Sequence, residues 1–321
     1  MNVSTAWLHG GSLLAATLLA GIGGEMFVRG VVGTAQRLRL SELLVAMTIA
    51  ACATSAPELT VTIMASADGN SALAMGDALG SNVTNILLIL GAALMFGRLS
   101  ASMAALRWHL ACVLAAPLAA GALLADGSLS RTDGALLLGG FAGWLAATIV
   151  RIRRAPAEPS DVADGHGVRP AALLTVLLIT GVAVLAVAGR LFAQSGRALA
   201  VHFDLPDAVV GATVVALGTS MPELMTTLVA RWRGHNDVGL GTLLGSNLFN
   251  GLAILGTAAV MAPIRPTLLP VWVMLAFGVL AVLFVMPRHG HLGRLRGAAM
   301  LACYGLYVAA LGAALGLDSV R

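Results

Sequence analysis

The chain has 321 residues, 58% hydrophobic and 11% charged, with a mean hydropathy of +0.90 and a formal net charge of +4. A soluble domain carries about 25% charged residues. The apolar residues here also run in long unbroken stretches, which excludes a soluble enzyme, a disordered chain and a disulfide-stapled secreted domain. The composition is that of a polytopic, all-α membrane protein. Its 38 glycines let helices approach closely in a compact bundle.

A spanning helix needs about 20 mostly apolar residues. Ten stretches qualify, near 8–34, 40–67, 71–97, 106–126, 132–151, 170–193, 205–231, 237–261, 267–286 and 297–316, taken below as helices 1 to 10. The stretch from Leu13 to Ile22 has no basic leader and runs on into more apolar chain, so it reads as part of a mature helix rather than a cleaved signal. Cys52, Cys112 and Cys303 fall inside apolar stretches without CxxC or disulfide spacing. The histidines fall at boundaries or in loops and are expected to be solvated.

Connections are short. The longest polar stretch, rich in Pro, Asp and Gly, divides the chain into helices 1–5 (residues 1–151), a linker (152–169) and helices 6–10 (170–321). A linker of that length has no room for a folded regulatory Ca²⁺-binding domain. All 19 basic residues are Arg. Thirteen of them (Arg37, Arg39, Arg98, Arg107, Arg151, Arg153, Arg154, Arg169, Arg231, Arg233, Arg288, Arg294 and Arg296) follow odd-numbered helices. Five (Arg131, Arg190, Arg197, Arg265 and Arg321) lie on the other side, and Arg29 is inside helix 1. The positive-inside rule then makes the linker cytoplasmic and turns both termini outward, as expected for a multi-pass protein of the cell's inner (plasma) membrane. Arginines spread along membrane edges form no single patch for nucleic acid, so the expected partners are the lipid bilayer and inorganic cations. Oligomeric state is not encoded in any pattern we find.

Sliding the sequence against itself by 165 residues aligns 40–91 with 205–256 without a gap, with 22 of the 52 positions identical. Ala51, Thr54, Ser55, Pro57, Glu58 and Leu59 recur as Ala216, Thr219, Ser220, Pro222, Glu223 and Leu224. Gly80-Ser81-Asn82 and Asn85 recur as Gly245-Ser246-Asn247 and Asn250. Two units of five helices must enter the membrane from opposite sides, because five is odd. The chain is therefore expected to be two inverted repeats, the architecture of secondary transporters with a site at the midplane.

In the first repeated element Ala51, Ser55 and Glu58 stand at i, i+4 and i+7 and share a helix face. Pro57 is expected to kink the turn by clashing with the carbonyl of Ala53, exposing carbonyl oxygens near Thr54. Glu58 and Glu223 place carboxylates at membrane mid-depth with no intramembrane Lys or Arg nearby to pair them. Every group on offer is an oxygen ligand, the preference of Ca²⁺ and Na⁺, and no His or Cys stands in these motifs. In the second element Ser81 and Asn85, like Ser246 and Asn250, are one helical turn apart, and Gly80 and Gly245 permit close helix contact. Two Glu give a site of charge −2. One Ca²⁺ neutralises it, several Na⁺ replace that ion, and two protons would do the same.

Asp77 has Thr242 as its counterpart and reads equally as a cap, a hydrated edge group or part of the site. Glu25 and Arg29, at i and i+4, form an ion pair. No HExxH or GxSxG motif is present. The chain is read as a carrier without catalytic residues or a resident cofactor.

The motifs ATSAPEL (53–59), GSNVTN (80–85), GTSMPEL (218–224) and GSNLFN (245–250) resemble the two alpha repeats of the sodium/calcium exchanger family, within the cation/calcium exchanger superfamily. The resemblance implies a central site between helices 2, 3, 7 and 8, with helices 1 and 6 sliding past it to alternate access. By that resemblance Glu58 and Glu223 would bind Ca²⁺ with backbone oxygens at Thr54 and Thr219. Na⁺ would use Ala51, Ser55 and Ser81 with Ala216, Ser220 and Ser246, and Asn85 and Asn250 would complete the centre. The first copy carries Ala53 where the family motif has Gly, and Asn250 stands where potassium-dependent relatives carry Asp. The implied function is Na⁺/Ca²⁺ antiport. H⁺/Ca²⁺ exchange is the alternative, and a non-transporting membrane cation sensor is a third reading.

Overall fold

The computed structural model describes residues 3–100, 103–154, 169–202, 216–286 and 291–316. Among these, eight helices are long and apolar enough to cross a bilayer. A ninth span is the pair Glu42–Thr54 and Ala56–Ala67, bent by 42°. Helix 7 is described as Ala216–Thr219 and Met221–Trp232. Its expected first half, from 205, lies outside the described residues, as do most of the linker and the end of the chain.

Helices 1 and 6 overshoot the sequence expectation. Helix 1 runs Val3–Leu38, 36 residues, which is about 54 Å of helix against a hydrocarbon core of about 30 Å. Helix 6 runs Ala171–His202. Hydropathy locates the lipid-facing part of a helix, whereas backbone hydrogen bonding continues through polar good formers such as Gln36 and Arg37. The two helices lie along each other in opposite directions. An added Cβ at Gly23 would sit 3.0 Å from Leu185, at Gly30 2.9 Å from Leu178, and at Gly181 2.7 Å from the backbone of Phe27. Notches of glycine receiving leucine are how membrane helices gain dispersion contact where lipid offers no hydrophobic drive.

Helices 2, 3, 7 and 8 make the buried centre. Most of helix 3 and helix 8 is inaccessible, with 78% and 83% of their spanning windows buried, against 22% in helices 5 and 6. Helix 10 packs on helix 3 and helix 5 on helix 8. Both contacts pass through a glycine pair, Gly91 with Gly297 and Gly256 with Gly134. Short backbone pairings tie the loops: Leu99–Ser100 runs antiparallel to His291–Leu292, and Leu129 bridges Ile264.

His109 departs from the expectation of solvated histidines. It is buried in helix 4, edge-on to Trp144 of helix 5, with ring centroids 6.5 Å apart. Its neighbours Arg107 and Trp108 look interfacial in sequence, but the packing of helix 4 on helix 5 closes over this side chain. Among the described residues all three cysteines are free.

Glu25 and Arg29 do form the expected ion pair, at 2.5 Å. Arg233, from the turn between helices 7 and 8, joins it with contacts of 2.9 and 2.6 Å to the two Glu25 oxygens. Beside it His235 Nδ1 lies 2.9 Å from Glu42 Oε1, joining that turn to the start of helix 2. The Glu42 hydrogen bond holds the His235 imidazole above its ordinary range, against opposing desolvation and the nearby Arg233 charge. The contact is therefore fully present below the ordinary imidazole pKa of about 6.5 and is lost as pH rises through the raised value. NMR titration of the His235 ring proton is expected to show that upward shift, and Glu42→Gln should reverse it. A titration indifferent to Glu42→Gln would mean the pair is not formed.

A candidate cation site at two helix breaks

Helices 2 and 7 break at equivalent residues. Ser55 has φ −85°, ψ 10° and Ser220 has φ −85°, ψ 12°, so the same eight-residue pattern produces the same backbone twice. The helical dihedrals lapse two residues before the proline, and the segments on either side of Ser55 are bent by 42°, which is the kink expected at Pro57. Pro57 and Pro222 occupy the first turn of the restarted helices, where a missing N–H leaves no hydrogen bond unmade. Glu58 and Glu223 follow in the same first turn, where carboxylates meet the positive end of the helix dipole.

Helices 3 and 8 also share an irregularity. Thr84–Leu90 and Phe249–Ile254 are wide π-helical segments. Asn85 and Asn250 sit inside them, about one turn beyond Ser81 and Ser246, where the α-helix has given way to the wider turn. Such wide turns re-aim side chains and are frequent at functional sites.

The side chains meet as follows. Glu58 is 1% and Glu223 0% exposed. Glu223 Oε1 accepts hydrogen bonds from Ser55 Oγ (3.0 Å) and Ser246 Oγ (3.2 Å), and Ser246 Oγ lies 3.4 Å from Thr54 Oγ1. One carboxylate of the second repeat is thus held by hydroxyls from helices 2 and 8. The reciprocal hydroxyls, Ser220 and Ser81, find no hydrogen-bond partner among the described residues. Equally unpartnered and buried are Glu58 Oε2, Glu223 Oε2, Asn85 Oδ1 and both amide atoms of Asn250. In a membrane interior each such group is costly unless something satisfies it, and a hard cation satisfies oxygens. Among the described residues no group of three or more His, Cys, Asp or Glu could alone hold a metal ion, so a ligand shell here must draw on hydroxyl, amide and carbonyl oxygen.

Of the remaining expected residues, Ala51 is buried against Gly245. Thr219 is half-buried at the end of its short helix. The side chain of Ala216 lies outside the described set, and among the described residues a Cβ at Gly80 would meet the Tyr307 hydroxyl at 3.6 Å.

Sequence reasoning passed over two residues. Asn82 Nδ2 donates to the Asn247 carbonyl (3.2 Å) and Asn247 Nδ2 to the Asn82 carbonyl (3.0 Å). Asn247 Oδ1 also accepts from Asn85 Nδ2 (3.1 Å). This reciprocal clasp joins helices 3 and 8 at the centre, each bond adding about 0.6 kcal/mol in a membrane. The signal was present, since both Asn are duplicated. Asp77 also lies close enough to repel Glu58 and Glu223 electrostatically.

This geometry, in which paired helix breaks offer buried carboxylates and oxygen ligands, defines a cation carrier. The chain belongs to the sodium/calcium exchanger protein family, whose pattern it matches over residues 8–150 and 173–312. It is an ion-transport protein rather than an enzyme. Inner membrane protein YrbG of Escherichia coli K12 is 35% identical over 227 residues, covering 69% of this chain and 70% of YrbG. The uncharacterized membrane protein MJ0091 of Methanocaldococcus jannaschii is 29% identical over 304 residues, covering 94% and 97%. A solved structure of the sodium-calcium exchanger NCX_Mj, soaked with Na⁺ and Sr²⁺, superposes with a TM-score of 0.79 at 27% identity. That match covers 96% of this chain and 99% of NCX_Mj.

Proposed function

We propose that this chain is a secondary active antiporter that exchanges Na⁺ for Ca²⁺ by alternating access at one site between helices 2, 3, 7 and 8. The observation that carries the reading is the pair of fully buried glutamates, 165 residues apart, among oxygens of four helices that have no hydrogen-bond partner among the described residues. Ca²⁺ would be held by Glu58 and Glu223 with carbonyl oxygens at Thr54 and Thr219. Na⁺ would replace it at Ala51, Ser55 and Ser81 and at Ala216, Ser220 and Ser246, with Asn85 and Asn250 completing the centre. The uncharged amide at 250 argues against a potassium requirement. The similarity to NCX_Mj, a sodium-calcium exchanger, supports the pair of ions, and YrbG supports an inner-membrane location.

The two units, 1–151 and 170–321, would be inverted repeats joined by the linker 152–169. In this reading the linker is cytoplasmic and both termini face outward, as the arginine distribution favours. The opposed packing of helices 1 and 6 through matched glycine notches fits that arrangement. Reconstituted protein is expected to take up ⁴⁵Ca²⁺ into Na⁺-loaded proteoliposomes diluted into Na⁺-free buffer. Uptake indifferent to Na⁺ but driven by a pH gradient would overturn the coupling ion.

A further inference from the structure

The two ends of the site share a backbone and differ in charge. The turn between helices 2 and 3 is Asp68-Gly69-Asn70, and its counterpart between helices 7 and 8 is Arg233-Gly234-His235. Gly69 and Gly234 take the same left-handed conformation, φ 76° and 83°, so the turns are equivalent in shape. One carries an acid where the other carries a base. Two turns or more further along, the contrast recurs inside the membrane: helix 3 has Asp77 where helix 8 has Thr242.

The two residues behave differently. Thr242 is fully buried and its hydroxyl donates to the Val238 carbonyl at 2.8 Å, so it is satisfied within its own helix. Asp77 is partly exposed, while its Oδ2 is buried and has no hydrogen-bond partner among the described residues. No Arg or His pairs with it among those residues. It stands one turn before Ser81, which is 2% exposed and whose hydroxyl also has no partner among the described residues, and within electrostatic range of both glutamates. At the other end Arg233 is engaged with Glu25 and His235 with Glu42. The nearest acid of helix 8 there, Asp237, is exposed and more than a turn before Thr242.

Resting on the cation-carrier reading above, we infer that Asp77 is a specificity-determining residue at one mouth only. It draws divalent cations from the side of the Asp68–Asn70 turn towards Ser81 and Glu58, and so makes apparent affinity on that face higher than on the Thr242 face. A carboxylate with a buried oxygen and no cationic partner among the described residues is costly in itself. It also concentrates cations, raising entry rates by about tenfold or more, and bulk salt screens it only weakly. A neutral threonine at the equivalent depth supplies none of this.

The test is Ca²⁺/⁴⁵Ca²⁺ self-exchange in right-side-out and inside-out vesicles. It reads the carboxylates without any coupling ion, so a wrong assignment of Na⁺ leaves it intact. Asp77→Asn, which keeps the shape, is expected to raise half-saturating Ca²⁺ about tenfold on the Asp68 face. The opposite face and the maximal rate should stay within about twofold, and Asp77→Glu should restore the wild-type value. Thr242→Asp is expected to lower half-saturation on its own face. Equal shifts on both faces would make Asp77 an ordinary ligand of the central site, and no shift on either would make it a structural residue. Either result overturns the inference.

Discussion

Glu58→Gln and Glu223→Gln should each abolish Ca²⁺ transport while leaving an inserted, monodisperse protein. The substitution is isosteric, so helix packing is retained and the charge alone is removed. In this site the charge is the ligand, because the hydroxyls that reach Glu223 and the unpartnered hydroxyl and amide oxygens among the described residues carry no formal charge. Removing one of the two carboxylates that would face a bound Ca²⁺ should weaken binding by about a hundredfold, roughly 3 kcal/mol. The two variants should differ in a second readout. Glu223 accepts from Ser55 and Ser246, so its amide variant keeps hydroxyl neighbours and should lose little thermal stability. Glu58, like Glu223, has a buried Oε2 without a hydrogen-bond partner among the described residues, but it lacks the two hydroxyl donors that compensate Glu223, so the ion-free Glu58→Gln protein should become more stable. Near-normal ⁴⁵Ca²⁺ flux in either variant would move the site elsewhere.

Gly245→Val should also stop transport, by a different route. A Cβ at Gly245 would collide with the Met47 carbonyl and stand 2.6 Å from Ala51 Cβ and 2.7 Å from the Met47 carbonyl carbon. Backbone cannot move aside as a flexible side-chain tip would, so helix 8 must be pushed off helix 2. The adjacent Ser246 then loses its reach to Glu223 and Thr54. Overpacking of this kind costs about 1–3 kcal/mol, enough to lower the thermal midpoint by several degrees as well as to dismantle the site. Gly139 on helix 5 is the control, because a Cβ there meets nothing within 4 Å among the described residues. Gly139→Val should insert, remain stable and transport. Equal behaviour of the two variants would show that helices 2 and 8 do not approach as described.

Much of the centre was legible before any coordinates. The twofold occurrence of Ser-x-Pro-Glu predicts two disrupted helices with carboxylates just beyond, and Ser55 and Ser220 break with almost identical dihedral angles. A proline acts on its own helix and needs no partner, so sequence suffices to locate its effect. It did not name the residue at which the helical dihedrals lapse, Ser55 and its counterpart Ser220, two positions before each proline. The wide turns at Thr84–Leu90 and Phe249–Ile254 were not legible, because no residue type demands a π turn.

What the sequence determined by itself is what depends on composition and local pattern. The bilayer as solvent follows from an 11% charge content, and spans follow from the length of apolar runs. The candidate ligands follow from a repeat that preserves two glutamates where lipid penalises them. Tertiary structure decided which chemically equivalent groups meet. Ser55 and Ser246 are matched to Glu223, while Ser81 and Ser220, identical in motif, have no such partner among the described residues. Asn82 and Asn247 clasp each other's backbone across the centre, and Asp77 is brought within range of both glutamates. These pairings join residues as many as 168 positions apart. Their geometry depends on how whole helices pack, and no local preference of the chain contains that information.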